Sequence, residues 1–171
     1  MDPISSETLA KLRAIQVAKK LPFIQTKVVG VMFAGRQEWV SKLWTNVTLL
    51  LHEPENTYDS NAVGVYGFVS VGVGDITVRK LGFLKKDIAK VVAMLRSNDK
   101  APEEQKYNLA RVDSMGGAES RKGVSITLDF SPEIRAMFDG SSDALKEVLN
   151  LVKRAKEDDA VVEARLVEAK S

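Results

Sequence analysis

The sequence predicts an α+β fold dominated by β structure, a small barrel carrying helices. Three observations point there. Short β-branched or alternating segments recur through the middle of the chain, separated by turn signals. A single stretch among them, Asp87 to Arg96, switches to helical spacing. The stretch 131–171 then carries a 3.6-residue apolar period. Many short strands with one helix between them fit a barrel better than a parallel sheet, where strands and helices alternate. With 171 residues, 44% of them hydrophobic, a core burying about 70% of the unfolded surface is within reach.

Residues 5–20 place Leu9, Leu12, Ile15, Val17 and Ala18 on a short, moderately amphipathic helix, with Ser5 or Ser6 as its cap. Lys19 and Lys20 suit the negative end of its dipole, and Pro22 stops it. Lys27–Phe33 (KVVGVMF) and Val47–Leu51 (VTLLL) read as strands. Between them GRQEWVSKLW is a helix or turn in which Trp39 and Trp44 are packing residues. Asn61–Val71 alternates imperfectly, with Gly64 and Gly67 as candidate bulges, and GVGD at 72–75 is a turn before the strand Ile76–Leu81. Arg79 and Lys80 are expected on that strand's surface. Ile88, Val91, Val92 and Leu95 share one helical face. Two further strands are expected at Gln105–Val112 and Val124–Phe130, joined by a mobile loop over Ser114–Gly123.

Ser131-Pro132-Glu133 opens a helical piece that Gly140 ends, and Ser141 or Ser142 caps a longer helix. Its stripe runs Leu145, Val148, Leu149, Val152, Ala155. Continuing the heptad puts Asp159 in the seam before Val162 and Leu166, so a coiled coil is poorly specified there. The alternatives are packing on the barrel or a loose tail. The division is thus an N-terminal helix at 1–22, a barrel at 23–130 and a helical extension at 131–171. No internal repeat or low-complexity tract is visible.

Charge narrows the function classes. Lys plus Arg is 25 and Asp plus Glu 23, a net +2, which excludes a strongly basic nucleic-acid binder but not a localised basic groove. Zones 1–20 and 21–130 each carry +2, and 131–171 carries −2. Zero cysteine excludes disulfide scaffolds, thiol nucleophiles and Cys-based zinc sites. A single histidine, His52, excludes multi-His metal sites. No apolar run is long enough to span a bilayer, and the first residues lack a secretory signal pattern, so a reducing cytoplasmic location is expected. No phosphate-cradling, dinucleotide or nucleophile-elbow motif occurs. The expectation is therefore a protein without enzymatic activity and without a cofactor.

One segment carries chemistry. Glu53-Pro54-Glu55-Asn56-Thr57-Tyr58-Asp59-Ser60-Asn61-Ala62-Val63 follows the strand VTLLLH directly. Pro54 ends strand pairing, and Asn56 and Asp59 are able to form Asx turns. Tyr58 then sits at a loop tip beside a carboxylate, a pair suited to stacking on a base and accepting a hydrogen bond from a sugar hydroxyl. Composition alone equally allows a structured turn with an incidental tyrosine.

The string EPENTYDSNAV resembles the hallmark of HIRAN domains, whose pattern is close to EPxNxYDxNAVxV. The preceding VVGVMFAGRQ is similar to that family's opening strand, and LGFLKKDIAKVVAML to its segment leading into a helix. These three motifs cover roughly residues 27–97. Elsewhere this family forms an OB-like barrel, fused to remodelling ATPases, that captures the 3′ end of single-stranded DNA. The resemblance therefore implies an OB-like barrel here and single-stranded DNA or DNA 3′ ends as partner, in DNA repair, replication or recombination.

Residue by residue, the resemblance implies that Phe33 stacks on a base, although a strand aromatic is also ordinary core. Met32 stands where relatives have a basic residue, and Arg36 offers a substitute guanidinium. Asn56, Tyr58 and Asp59 match the loop that grips the terminal nucleotide, with Asp59 accepting from the 3′ hydroxyl. Lys85 and Lys86 match a basic pair at a helix start, where phosphate suits them; solvated surface is the plainer reading. Phe83 is a platform or core, and His52 is expected to be structural. The alternative function is a protein-interaction module using the barrel or the C-terminal helix, without nucleic acid and without an expected homo-oligomer.

Overall fold

A computed structural model describes Ile4, Ser6, Leu9 and residues 24–31, 36–56, 59–90, 107–116, 123–129 and 142–170. Six strands form the body: β1 Ile24–Val29, β2 Leu43–His52, β3 Val63–Gly72, β4 Asp75–Leu84, β5 Tyr107–Gly116 and β6 Gly123–Asp129. A short helix, α1 (Arg36–Val40), lies between β1 and β2, and a long helix, α2 (Ser142–Lys170), ends the chain. A helical turn at 86–90 follows β4. The strands close a barrel in the order β1-β4-β3-β2-β5-β6, every neighbouring pair antiparallel. The expected mainly-β barrel with a C-terminal helix is what the described residues form.

The imperfect alternation of Asn61–Val71 has a physical cause: both faces of the wall are covered over β2–β4. Val28, Leu50, Val63, Val65, Leu81 and Ile126 pack inside the barrel. The other face of β2–β4 presents Val47, Leu49, Tyr66, Phe68, Ile76 and Val78, and α2 covers it with Val148, Leu151, Val152 and Ala155. Ile4 joins this outer layer, its N–H donating to Ile76 O at 2.7 Å. Leu49 and Leu50, adjacent in sequence, thus belong to different cores. Of the tail's apolar stripe, Val148, Val152 and Ala155 are buried on the barrel and Leu149 is partly buried.

Three local expectations need correction. The bulge is not at Gly64 or Gly67, which pair regularly with Phe83 and Arg79. On the β3–β4 ladder the extra residues are Leu81, between the pairs Val65↔Gly82 and Tyr66↔Lys80, and Val71 near the hairpin tip, while on the β2–β3 ladder the register shifts on the β2 side, between Leu43 and Thr48. The extra Leu81 reverses side-chain parity along β4, so Ile76 and Val78 face outward under α2 while Leu81 and Leu84 face inward. Lys80 is the second correction: it falls on the covered face and is buried, 4% exposed, rather than surface. Third, β5 runs past Val112 to Gly116, because Ser114, Met115 and Gly116 find partners in Ser125, Val124 and Gly123 on β6; cross-strand pairing overrides the loop-like composition. The turn at 72–75 forms as expected, with Gly74 at φ +77°. Most of the 5–20 and 87–96 helices and all of 131–141 lie outside the described residues.

Candidate functional site

Strand direction gathers the chemistry at one end of the barrel. β2 ends at His52, β3 begins at Val63 paired with His52, and β4 ends at Leu84, next to Phe83, which pairs with Gly64. The loop 53–62 and the exposed Lys85 and Lys86 therefore leave the wall at the same rim. The opposite rim carries the β3–β4 hairpin tip, with Val73 fully exposed.

Backbone and side chains hold the loop. Glu53 N–H donates to Ala62 O (2.8 Å), closing the neck, and Asn56 N–H donates to Glu53 O (3.0 Å). Asn56 Oδ1 accepts from Asp59 N–H (3.0 Å), and Asp59 Oδ1 accepts from Asn61 N–H (2.9 Å). The second is the Asx turn expected at Asp59; the first reaches three residues on, one further than the Asx turn expected at Asn56. Ala62 N–H adds a bond to Asp59 O (3.0 Å). His52 Nε2 lies 2.8 Å from Ser60 O; a carbonyl can only accept, so Nε2 carries the proton and His52 braces the loop. Asp59 and Asn56 are half-buried, and among the described residues no donor meets Asp59 Oδ2. Tyr58 and Phe33 lie outside the described residues. Lys85 O accepts from Ala89 N–H (2.8 Å), which starts the helical turn.

Arg36 is the fourth correction. Expected to meet phosphate, it is 1% exposed, with Nε and Nη2 donating to Asp159 Oδ1 and Oδ2 at 2.9 and 2.7 Å. Nη1 donates to Gly30 O (3.0 Å), and the guanidinium lies 5.2 Å from the Phe83 ring centroid. The helix supplying Asp159 covers the place where a ligand would approach it. Phe83 itself is half-buried and receives the Lys80 ammonium at 3.9 Å.

Sequence reasoning missed the group behind the loop. Glu53, the first residue of the motif, turns inward: Oε2 accepts from Tyr66 O–H (2.9 Å) and Oε1 from Lys80 Nζ (2.9 Å). Lys80 Nζ is also 3.8 Å from Asp159 Oδ2. Gly64 makes room for it, since a Cβ there would stand 2.0 Å from Glu53 Oε2. Burial first, then the neighbouring Glu53 charge and hydrogen bond, push the Tyr66 hydroxyl well above the usual phenol range. Outside this group, Lys156 pairs with Glu55. Burial alone would raise the Glu55 carboxyl, but the Lys156 hydrogen bond and charge prevail and hold it below the usual range. The available signals were a lysine two and four places on from Val78 and Ile76, on their apolar face of β4, and an aspartate in an apolar stripe. A shallow cavity of about 70 Å³ between Trp39, Arg79, Lys80, Ala155, Asp158 and Asp159 adjoins the group; Arg79 stacks 4.8 Å from the Trp39 ring.

Among the described residues there is no cluster of three or more His, Asp or Glu able to hold a metal, and no helix long and apolar enough to cross a membrane. No protein-family model matches the chain, and no curated protein is similar to it. Among solved structures, the crystal structure of the HIRAN domain of human HLTF is similar at 22% identity and a TM-score of 0.36, over 72% of this chain and 86% of that one.

Proposed function

We propose that this protein is a single-stranded DNA-binding module that takes a DNA 3′ end at the 53–62 loop. In this reading the Asp59 carboxylate accepts from the terminal 3′ hydroxyl, Tyr58 and Phe33 offer rings to the last bases, and Lys85 and Lys86 meet phosphates. The supporting observation is that Asp59 is held at its N–H by Asn56 and at Oδ1 by its own Asx turn to Asn61, with no donor at Oδ2 among the described residues, on the rim that also carries the two exposed lysines. A fixed carboxylate is a good acceptor for a hydroxyl and repels a phosphate at the same place. Stacking would contribute about 1–3 kcal/mol per base. Arg36 has no part in this reading.

Fluorescence anisotropy with oligonucleotides ending in a 3′ hydroxyl or a 3′ phosphate tests it. The hydroxyl end should bind more tightly. Asp59→Asn keeps the turn-forming oxygen and removes the charge, so it should weaken hydroxyl-end binding by roughly 1.5–3 kcal/mol, the worth of a hydrogen bond to a charged group, and level the two affinities. Equal affinities in the unmodified protein remove end recognition, and no binding at low salt removes the DNA role.

A further inference from the structure

Four ionisable side chains, each more than nine-tenths buried, stand in a row between α2 and the loop: Arg36, Asp159, Lys80 and Glu53. Two are cations and two carboxylates, so the row is neutral, but one carboxylate comes from α2. Without it the barrel would bury two cations against one carboxylate, an arrangement that low dielectric makes strongly unfavourable. The row ends on the loop. Glu53, which takes the Lys80 charge, is the same residue whose N–H and C=O close the neck to Ala62 and bond Asn56. One turn earlier on α2, Lys156 ties Glu55 from outside.

We infer that α2 is a strut for the 53–62 loop, with Asp159 as a positioning residue: by neutralising Arg36 it lets the Lys80 ammonium stay buried against Glu53, which keeps Glu53 seated and the neck of the loop closed. The consequence for DNA rests on the function proposed above; the ordering of the loop does not.

Amide hydrogen exchange on the full chain, read by NMR without DNA, tests the ordering. Asp159→Asn is nearly isosteric and leaves the row one carboxylate short. It should speed exchange at the Glu53, Asn56 and Ala62 amides about tenfold through local opening, while the β5–β6 amides near Ala110 keep their rates. The double variant Arg36→Gln/Asp159→Asn leaves Lys80 and Glu53 as a balanced pair and should restore slow exchange in the loop. Unchanged loop amides in Asp159→Asn overturn the inference, as does equal acceleration everywhere, which marks a merely structural contact. Should Asp159→Asn fail to fold, Lys156→Gln reads the outer tie at the same three amides, with acceleration of about threefold expected and none overturning it. With DNA, Asp159→Asn should lose about tenfold in affinity for the 3′-hydroxyl oligonucleotide, within the usual range of coupling between sites. Tighter binding would make Asp159 a competitor for phosphate and overturn the strut. An unmodified protein that binds no DNA removes the proposed function and leaves the exchange result standing.

Discussion

Glu53 accepts from Tyr66 and Lys80 inside the wall, and the arrangement exists because residue 64 has no side chain. Gly64→Ala drives a methyl into a buried carboxylate and the Tyr66 ring beside it, so it should cost about 3 kcal/mol, between ordinary overpacking and rupture of a buried pair. A urea midpoint equal to that of the unmodified protein would contradict this. Tyr66 gives a pH signature. Its hydroxyl faces the Glu53, Asp159 and Glu55 carboxylates, with the Lys80 ammonium 5.8 Å from its ring. Its folded pKa lies above the unfolded value of about 10, so its contribution is complete below pH 10 and is lost as pH rises further. Stability should therefore fall more steeply above about pH 10 in the unmodified protein than in Tyr66→Phe; parallel curves from chemical denaturation would rule this out. Residue type was enough to read the Asx turn of Asp59 and the part the Asn56 side chain plays in holding the loop. It was not enough to read the inward turn of Glu53, because a glutamate after a strand looks the same whether its partners lie in water or in the wall.

At the scale of elements, α2 shows how one residue can be read correctly and its role misread. The heptad places Asp159 in the apolar seam, and there it is; what the heptad lacks is the facing surface, where Arg36 and Lys80 turn a misplaced charge into a partner. The face of α2 that docks on the barrel, which includes Leu151 beside the seam, carries stability. Leu151→Ala should cost about 2–5 kcal/mol, which for a domain of this size lowers the melting temperature by roughly 2–4 °C per kcal/mol; an unshifted melt would mean that α2 does not dock in solution. The Lys156–Glu55 tie is mostly exposed, and its share is small. Because the Glu55 carboxyl is held below its ordinary range, that share is present above about pH 4.3 and disappears as pH falls. Denaturation at pH 3 should find Glu55→Gln and the unmodified protein closer in stability than at pH 7, and a constant difference would deny the tie.

Over the whole molecule, a net charge of +2 leaves little general attraction for DNA, so binding would depend on a few rim contacts. Each phosphate contact to a single strand adds about 0.7 to the salt slope. Lys85→Ala/Lys86→Ala should therefore flatten a log–log plot of affinity against salt by about 1.4, and an unchanged slope would place the lysines off the DNA path. The existence of the strands, the turn at 72–75, the helix from Ser142 and the loop motif were legible in the chain because propensity, period and turn chemistry act over a few neighbouring residues. Strand bounds were not, since the run read as a strand at Lys27–Phe33 is β1 at Ile24–Val29, ended by Gly30 at φ +76°. The sequence by itself determined that this is a mainly-β protein with an amphipathic tail and a carboxylate-bearing loop. Only the folded molecule decided that Leu81 bulges, that Lys80 and Arg36 lie inside, and that the tail completes a neutral buried row. Those outcomes depend on strand register and on helix-to-barrel contacts, with Arg36 and Asp159 separated by 123 positions along the chain, a distance at which no local pattern carries information.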